Sequence, residues 1–284
     1  MPNAIFARVV VVASLLTAGC SPLGMFDTLV PKDRGTAKVA SAVAYGSEPR
    51  QMLDVYAPHS DQIGGRPVIV FFYGGSWNSG TRSGYAFVGR ALAAQGFLVV
   101  IPDYRLVPAV RYPAFIEDGA AAVRWAKAHV ADFGGDPARI VLMGHSAGAY
   151  IAAMLAVDDR WLKEDRRAVR GFVGLAGPYD FAPFDVEASR AAFGAWPRPN
   201  ETQPVIWAGA GDPPALLLVG ADDTTVRPRN SEALGAKLRD GGVSVDLQSY
   251  SQTGHVGLLL ALARPFRGRQ PVLKDIVNFV RKVD

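Results

Sequence analysis

Cysteine is nearly absent from this 284-residue sequence, in which Cys20 is the only one. A single cysteine cannot form a disulfide within the chain, and zinc sites built from cysteine pairs or from an H-E-x-x-H segment have no matching residues here. A Walker phosphate-binding loop is also missing. We therefore expect neither a metal ion nor an organic cofactor.

Long linkers, internal repeats and low-complexity tracts are missing as well, and 49% of the residues are hydrophobic. This composition favours one folded domain with a large core over a disordered chain. The formal net charge is +4, but Lys and Arg are interspersed with Asp and Glu, without a basic stripe or interleaved aromatic residues. We therefore expect no nucleic-acid partner.

The first twenty residues differ from the rest of the chain. Arg8 precedes the apolar run VVVVASLLTAG, which ends at Cys20. A charged residue followed by a short apolar run is typical of a secretory signal, and this run is too short to span a bilayer as a stable helix. We expect a signal peptide over residues 1–19.

The position of Cys20 after small residues resembles a bacterial lipobox, although Thr17 stands where that motif usually has Leu. The resemblance implies export, with acylation of Cys20 as the attachment to a membrane in the cell envelope, and Ser21 implies the outer membrane. Plain export to the periplasm or medium, or a buried first helix, is the alternative. Residues 20–40 are predicted to be a tether, and residues 41–284 the folded domain.

Beyond the tether, short apolar runs rich in β-branched residues alternate with helix-like spacing of apolar residues. This alternation predicts an α/β protein with a mostly parallel sheet and helices on both faces. The predicted strands are 52–56, 67–73, 97–103, 139–144, 171–177, 215–220 and 245–250. The predicted helices are 83–94, 114–130, 147–157, 230–239 and 272–283. In such a sheet, functional residues gather beyond the carboxyl ends of the strands.

The pentapeptide GHSAG, residues 144–148, lies between a predicted strand and a predicted helix. The pattern G-x-S-x-G is weak alone, but at a strand-to-helix turn it indicates a strained backbone that lifts the serine hydroxyl clear of the sheet. The flanking glycines let the two arms of the turn pass close together. We predict that Ser146 is a nucleophile.

A serine hydroxyl needs a general base within hydrogen-bond reach. In hydrolases with this turn the order along the chain is nucleophile, acid, histidine, and His255 is the only histidine after Ser146. We predict that His255 is the base, whereas the adjacent His145 is expected to point away and to pack or hydrogen-bond. The third group, which orients the imidazole, is expected just after the strand at 215–220, where the spacing leaves Asp222 and Asp223 as candidates.

Backbone amides are expected to stabilise the oxyanion that forms when the serine attacks. One should belong to Ala147, directly after the nucleophile and at the start of a helix. The others should lie in the YGGSW segment, where Gly74 and Gly75 let the backbone approach a substrate. We predict the amides of Gly75, Ser76 and Ala147 as the oxyanion hole.

These segments together resemble one family. YGGSW is similar to the HGG-x-W oxyanion loop of carboxylesterases related to hormone-sensitive lipase and of kynurenine-formamidase-like esterases. LDVYAP, IPDYRL, YPAFIED and FGGDPARIVLMGHSAGA also resemble theirs, in the same order. The similarity extends from about Gln51 to His255 and implies the α/β-hydrolase fold with a Ser-His-Asp triad.

The resemblance also bears on which aspartate is the acid of the triad, and the sequence departs from the family pattern at one position. In that family the acid lies in a G-x-x-D-x-x-V pattern, which Gly220, Asp223 and Val226 match, so the resemblance implies Asp223 rather than Asp222. Tyr73 stands where the family usually has His. That change bears on how the loop is anchored and on which substrates fit.

The expected function is hydrolysis of small, fairly hydrophobic carboxylic esters through an acyl-enzyme on Ser146. Residues 181–214 are predicted to form a small insertion over the site, because they are rich in Pro, Gly and aromatic residues and lack a clear period. An arylformamidase or another amidase with the same triad is one alternative, and an envelope-anchored binding module without activity is another. The candidate substrate-binding residues are Trp77, Tyr179, Phe181 and Trp196.

Overall fold

Eight strands form a single sheet in the structure, a computed structural model that describes residues 22–59 and 64–283. The strands lie in the order β1-β2-β4-β3-β5-β6-β7-β8. The pairs β1/β2 and β2/β4 are antiparallel, and the remaining pairs are parallel. The strands are β1 (Thr36–Ala44), β2 (Met52–Pro58), β3 (Arg66–Phe72), β4 (Leu98–Pro102), β5 (Gly135–His145), β6 (Val169–Leu175), β7 (Ala215–Gly220) and β8 (Val245–Tyr250).

The helices are α1 (Pro22–Leu29), α2 (Ala86–Ala93), α3 (Ala114–His129), α4 (Ala147–Val157), α5 (Asp159–Leu162), α6 (Glu187–Phe193), α7 (Pro204–Trp207), α8 (Arg229–Asp240), α9 (His255–Leu260) and α10 (Val272–Lys282). Short 3₁₀ helices cover Arg82–Tyr85, Val130–Phe133, Lys163–Ala168 and Pro199–Thr202. Within the described ranges, no helix combines the length and the apolar character needed to cross a bilayer.

The predicted α/β fold class is confirmed, as are the seven predicted strands, each within a few residues of its observed bounds. The central strands are buried on both faces, which is why they are continuous apolar runs in the sequence. Every residue of α4 is buried as well. The helix that follows the nucleophile therefore lies in the core, where packing holds its first turn in place.

The predicted tether over residues 20–40 is wrong for the part that the structure describes. Residues 22–29 form α1, which packs Phe26 edge-on against Phe87 with ring centroids 5.3 Å apart. The carboxylate of Asp27 accepts a hydrogen bond of 2.8 Å from the Phe87 amide. From Thr36 onward the chain is β1, paired with β2 at the sheet edge.

Two irregularities explain why β1 lacked a strand pattern. The register with β2 shifts between Lys38 and Ala40 and again between Ala40 and Val43, and each shift interrupts the alternation of inward and outward side chains. Cys20 and the predicted signal peptide lie outside the described residues. The signal peptide and the acylation of Cys20 therefore remain predictions.

The sheet gathers the candidate site at one edge. Strands β3, β5, β7 and β8 are mutually parallel in direction, so the loops after their carboxyl ends meet there. The segment at 181–214 contains α6, a 3₁₀ turn and α7. As predicted, it is a small insertion, and its first residues line the pocket that contains Ser146.

Candidate active site

Ser146 occupies the sharp turn between β5 and α4. Its backbone has φ 55° and ψ −125°, a conformation that is unfavourable for a residue with a side chain and persists only where the surroundings hold it. The Ser146 amide donates a 2.9 Å hydrogen bond to the Leu175 carbonyl, which ties the turn to β6. The strained backbone presents the hydroxyl to the pocket.

Two glycines make this turn possible. A Cβ on Gly144 would overlap the backbone of Gly148, and a Cβ on Gly148 would overlap the Phe72 carbonyl of β3. Glycine is therefore required at both positions by close backbone approach. The G-x-S-x-G pattern reflects that geometry directly.

Ser146, His255 and Asp223 form a continuous hydrogen-bonded chain. The His255 Nε2 atom lies 2.8 Å from the Ser146 Oγ, and its Nδ1 atom lies 2.8 Å from the Asp223 Oδ2. The Asp223 carboxylate accepts the hydrogen bond from Nδ1–H, which leaves Nε2 without a proton and able to accept the one from serine. The three side chains predicted from the sequence therefore come together with the spacing that proton transfer requires.

The backbone that follows Asp223 fixes the carboxylate. Its Oδ1 atom accepts hydrogen bonds of 2.9 Å from the amides of Thr225 and Val226, so one oxygen is held by the loop and the other faces His255. Asp222 is exposed, and among the described residues its one hydrogen bond runs from its amide to the Thr253 carbonyl at 3.0 Å. The geometry separates the two neighbours that the spacing alone left open.

His145 differs from its prediction in one respect. It hydrogen-bonds as expected, but it lies against the back of His255, with ring centroids 4.9 Å apart. Its Nε2 atom is 3.1 Å from the His255 carbonyl and must carry a proton to donate to it. Burial is the main cause, and the nearby His255 a smaller one, that lowers the pKa of His145 to about 3. The ring is therefore a neutral donor that holds the first residue of α9.

The loop after β3 carries the other predicted oxyanion donors. Gly75, Ser76 and Trp77 have φ values of 131°, 51° and 59°, and this run of positive φ turns the loop sharply. Within the described chain, the amides of Gly75 and Ser76 donate no hydrogen bond. Ser76 and Ala147 line the same pocket as Ser146, so unpaired amides lie on both sides of the nucleophile.

Tyr73 anchors this loop in place of the usual histidine. Its ring lies between Tyr85 and Tyr104, at centroid distances of 5.1 and 4.8 Å. Its hydroxyl donates to the Asp103 Oδ1 at 2.7 Å and accepts from Arg50 at 2.9 Å. Burial raises the pKa of Tyr73 well above its ordinary value, so the hydroxyl remains a donor.

Asp103, whose carboxylate accepts from the Tyr73 hydroxyl, belongs to a network of charged side chains. Arg82 donates to Asp54 at 2.9 Å and also pairs with Asp103. Lys38 of β1 adds a 2.6 Å contact to Asp54. Burial by itself would raise the pKa of Asp54, but hydrogen bonds from Lys38, the Ala42 amide and Arg82 together lower it. The network attaches the first strand to the floor of the oxyanion loop.

A half-open pocket of about 360 Å³ surrounds the Ser146 hydroxyl. Trp77 and Phe181, both predicted substrate residues, line it and stack at a centroid distance of 6.0 Å. Tyr179 and Trp196 do not line it: Tyr179 is fully buried against Phe172, and Trp196 packs edge-on against Tyr112. Aromatic content marked the insertion correctly, but it could not show which rings face inward.

No cluster of His, Cys, Asp or Glu side chains in the described ranges could hold a metal ion. The ionisable side chains at the site are the hydrogen-bonded pair Asp223 and His255 and, in the pocket lining, Asp185, Arg227 and Arg229. The arrangement can supply a nucleophile, a general base and amide donors, which together suffice for acyl transfer.

Residues 53–238 match the BD-FAE family. The chain is 30% identical over 274 residues to a probable isoprenylcysteine alpha-carbonyl methylesterase of Oryza sativa subsp. japonica, covering 86% of this chain and 63% of that protein. It is 29% identical over 273 residues to Esterase LipC of Mycobacterium tuberculosis, an alignment that covers 83% of this chain and 67% of that protein. The chain thus spans about 63% of the length of the first of these relatives.

Among solved structures, a truncated carbohydrate esterase from gut microbiota superposes with a TM-score of 0.77 at 22% identity, covering 89% of this chain and 99% of that one. At this identity the likeness shows the fold. It agrees with the α/β-hydrolase topology that the sheet order displays.

Proposed function

The chain belongs to the BD-FAE family, and we propose that it is a serine carboxylesterase that hydrolyses small carboxylic esters through an acyl-enzyme on Ser146. One observation carries the proposal: Oγ of Ser146, both ring nitrogens of His255 and Oδ2 of Asp223 are linked by two 2.8 Å contacts at the wall of an accessible pocket. The esterase names of the relatives support the same reaction class.

In the acylation half, the Ser146 Oγ forms a bond to the ester carbonyl carbon while His255 Nε2 takes the hydroxyl proton. The carbonyl electron pair moves onto oxygen, next to the amides of Ser76 and Ala147, with Gly75 as the third donor. When the carbonyl reforms, the ester C–O bond breaks. The leaving alkoxide receives the proton from His255.

In the deacylation half, a water molecule replaces the alcohol. His255 takes a proton from that water as its oxygen bonds to the acyl carbon, and the same amides stabilise the second oxyanion. Cleavage of the acyl–Ser146 bond returns the proton to the serine oxygen and releases the carboxylic acid. The neutral His145 beside the base keeps a second positive charge out of the site while His255 is protonated.

The proposed substrates are small and partly hydrophobic. Trp77, Phe181 and Val186 give the pocket apolar walls, and its volume of about 360 Å³ suits a short acyl or alcohol group. Among the described residues, the covering insertion is limited to α6, α7 and one 3₁₀ turn. A cover of that size argues for short substrates over long lipid chains.

The test is release of p-nitrophenol from p-nitrophenyl acetate, with 4-nitroformanilide as the amide comparison. We expect the protein to cleave the ester faster than the anilide, and Ser146→Ala to lower ester turnover by about 10⁴-fold or more. Ser249→Ala, which changes an exposed serine on β8, is the matched control and should retain the wild-type rate. Equal turnover by Ser146→Ala would contradict the proposal, and preferential cleavage of the anilide would favour the formamidase alternative.

We also propose that the protein is exported to a bacterial cell envelope and anchored by acylation of Cys20, with the apolar run before it as the signal. Cys20 lies outside the described residues, so the support is the sequence pattern alone. Cys20→Ser should move the protein from the membrane fraction to the soluble fraction. Unchanged fractionation would contradict lipid anchoring.

A further inference from the structure

Two arginines at the exposed edge of the pocket have side chains without a partner among the residues that the structure describes. Arg227 and Arg229 are exposed and line the same pocket as Ser146. Neither guanidinium donates a hydrogen bond or forms an ion pair with any residue of the described chain. Both cations are therefore available to a molecule that enters the pocket.

The backbone beneath these arginines is held at both ends. Before Arg227, the Val226 amide donates to the Asp223 carboxylate at 2.9 Å, so the segment starts from the triad itself. After Arg229, the side-chain oxygen of the buried Asn230 accepts hydrogen bonds of 2.9 and 3.0 Å from the amides of Tyr179 and Asp180. The segment that carries the two arginines is thus attached to the triad on one side and to the backbone of Tyr179 and Asp180 on the other.

Arg229 stands at a helix position that disfavours a cation, in a first turn that also contains Glu232. It is the first residue of α8, and the Pro228 before it supplies no side-chain cap. The start of a helix carries partial positive charge and favours acidic side chains, so a cation there is unfavourable. Residues that break a local rule in this way are expected at functional sites.

The remaining charge in the pocket lining leaves the balance positive. Among the described residues that line the pocket, Asp185 is the only one with a carboxylate, whereas two, Arg227 and Arg229, are cations. An anionic group is therefore favoured there over a cationic one.

We propose that Arg227 and Arg229 recognise a carboxylate on the substrate, so that the preferred substrates are small esters that carry a free carboxylate away from the scissile bond. This inference rests on the proposed esterase function and names its substrate class. A guanidinium presents a planar fork of N–H donors that fits a carboxylate with two parallel hydrogen bonds. The aromatic wall formed by Trp77 and Phe181 would then contact the apolar part that separates the two groups.

The test compares matched charged and neutral esters. For a charge on the acyl side, mono-4-nitrophenyl adipate is compared with 4-nitrophenyl hexanoate; for a charge on the alcohol side, 4-acetoxybenzoate is compared with 4-acetoxybenzamide. In at least one pair, we expect wild-type kcat/KM to favour the anion. The pair that shows the preference identifies the side of the ester that faces the arginines.

The variants assign that preference to the two arginines. Each of Arg227→Gln and Arg229→Gln should lower the anionic-to-neutral ratio of kcat/KM by about twofold to fivefold, as for a partly exposed charge pair, and the double variant by about tenfold. Asp185→Asn should raise the ratio. Arg239→Gln removes the same charge at the other end of α8 and should leave the ratio at the wild-type value.

Ionic strength provides a second measurement. Raising NaCl from about 0.02 M to about 0.5 M should reduce the wild-type preference, because screening lengths fall from about 20 Å to about 4 Å, and should have little effect on the ratio of the double variant. Hydrolysis of the neutral esters with no anion preference in either pair, or an unchanged ratio in the double variant, would overturn the inference and leave the esterase proposal intact. Absence of hydrolysis of all four esters would overturn both.

Discussion

Replacing His145 with glutamine should make the protein less sensitive to acid. His145 is buried beside the base, and its Nε2 donates to the His255 carbonyl at 3.1 Å. Its Nδ1 atom is buried without a partner, so a second proton on the ring would be placed where nothing in the described chain accepts it. Burial, with the nearby His255, lowers the pKa of His145 to about 3.

The size of the effect follows from linkage. In the unfolded chain a histidine has a pKa of about 6.5, so between pH 6.5 and pH 3 the unfolded state binds a proton that the folded state does not. The contribution of neutral His145 to stability is therefore complete above about pH 6.5 and is lost as the pH falls toward 3. At about pH 5 the loss amounts to about 2 kcal/mol, at 1.36 kcal/mol per pH unit.

Urea denaturation at about pH 7.5 and about pH 5 measures this loss. A glutamine amide can reach the same carbonyl but does not titrate, so the free energy of unfolding of His145→Gln should fall between the two pH values by about 2 kcal/mol less than that of the wild type. His129→Gln changes an exposed histidine at the end of α3 and should retain the wild-type difference, because His145 is intact. Equal acid losses for His145→Gln and the wild type would refute the assignment of His145 as a neutral buried donor.

Three further substitutions test separate parts of the site. Asp223→Asn should lower kcat by about 10⁴-fold, whereas Asp222→Asn should have little effect; steady-state kinetics that reverse this order would assign the acid to the other neighbour. Tyr73→Phe removes a buried donor to a carboxylate and should lower the free energy of unfolding by about 1–3 kcal/mol, and a change below about 0.5 kcal/mol in urea titrations would show that the hydroxyl does not anchor the loop. Gly148→Ala should prevent folding, measured as loss of soluble protein and of the cooperative transition, whereas Gly268→Ala, with open space around it, should fold normally; a folded Gly148→Ala protein would contradict the tight crossing with β3.

Much of the fold could be predicted because its strands are covered on both faces. Continuous apolar runs of the kind seen at 215–220 identify such strands in the sequence, and the G-x-S-x-G turn reports a close backbone approach that only glycine permits. The order of nucleophile, acid and histidine in hydrolases with this turn then selected His255, the only histidine after Ser146 in the sequence. These features are local, so the sequence displays them directly.

The features that escaped prediction depend on contacts between distant segments. The first five residues of β1, 36–40, were assigned to the tether because the register shifts of this strand interrupt the alternation, and its pairing with β2 is what makes it a strand. The contact of His145 with His255 joins residues 110 positions apart. Tyr179 and Trp196 were candidate pocket residues because they are aromatic. Aromatic content alone does not reveal which ring faces a cavity. Tyr73 was recognised as a departure, but its stack with Tyr85 and Tyr104 appears only in three dimensions.

The central claim is that the Ser146 hydroxyl is the nucleophile, activated by His255 across 2.8 Å. The most direct test is to treat the folded protein with a fluorophosphonate probe and to map the adduct by peptide mass spectrometry. We expect one adduct, on the peptide containing Ser146, and no labelling of the Ser146→Ala variant. An adduct on another residue, or labelling of Ser146→Ala at the wild-type rate, would contradict it.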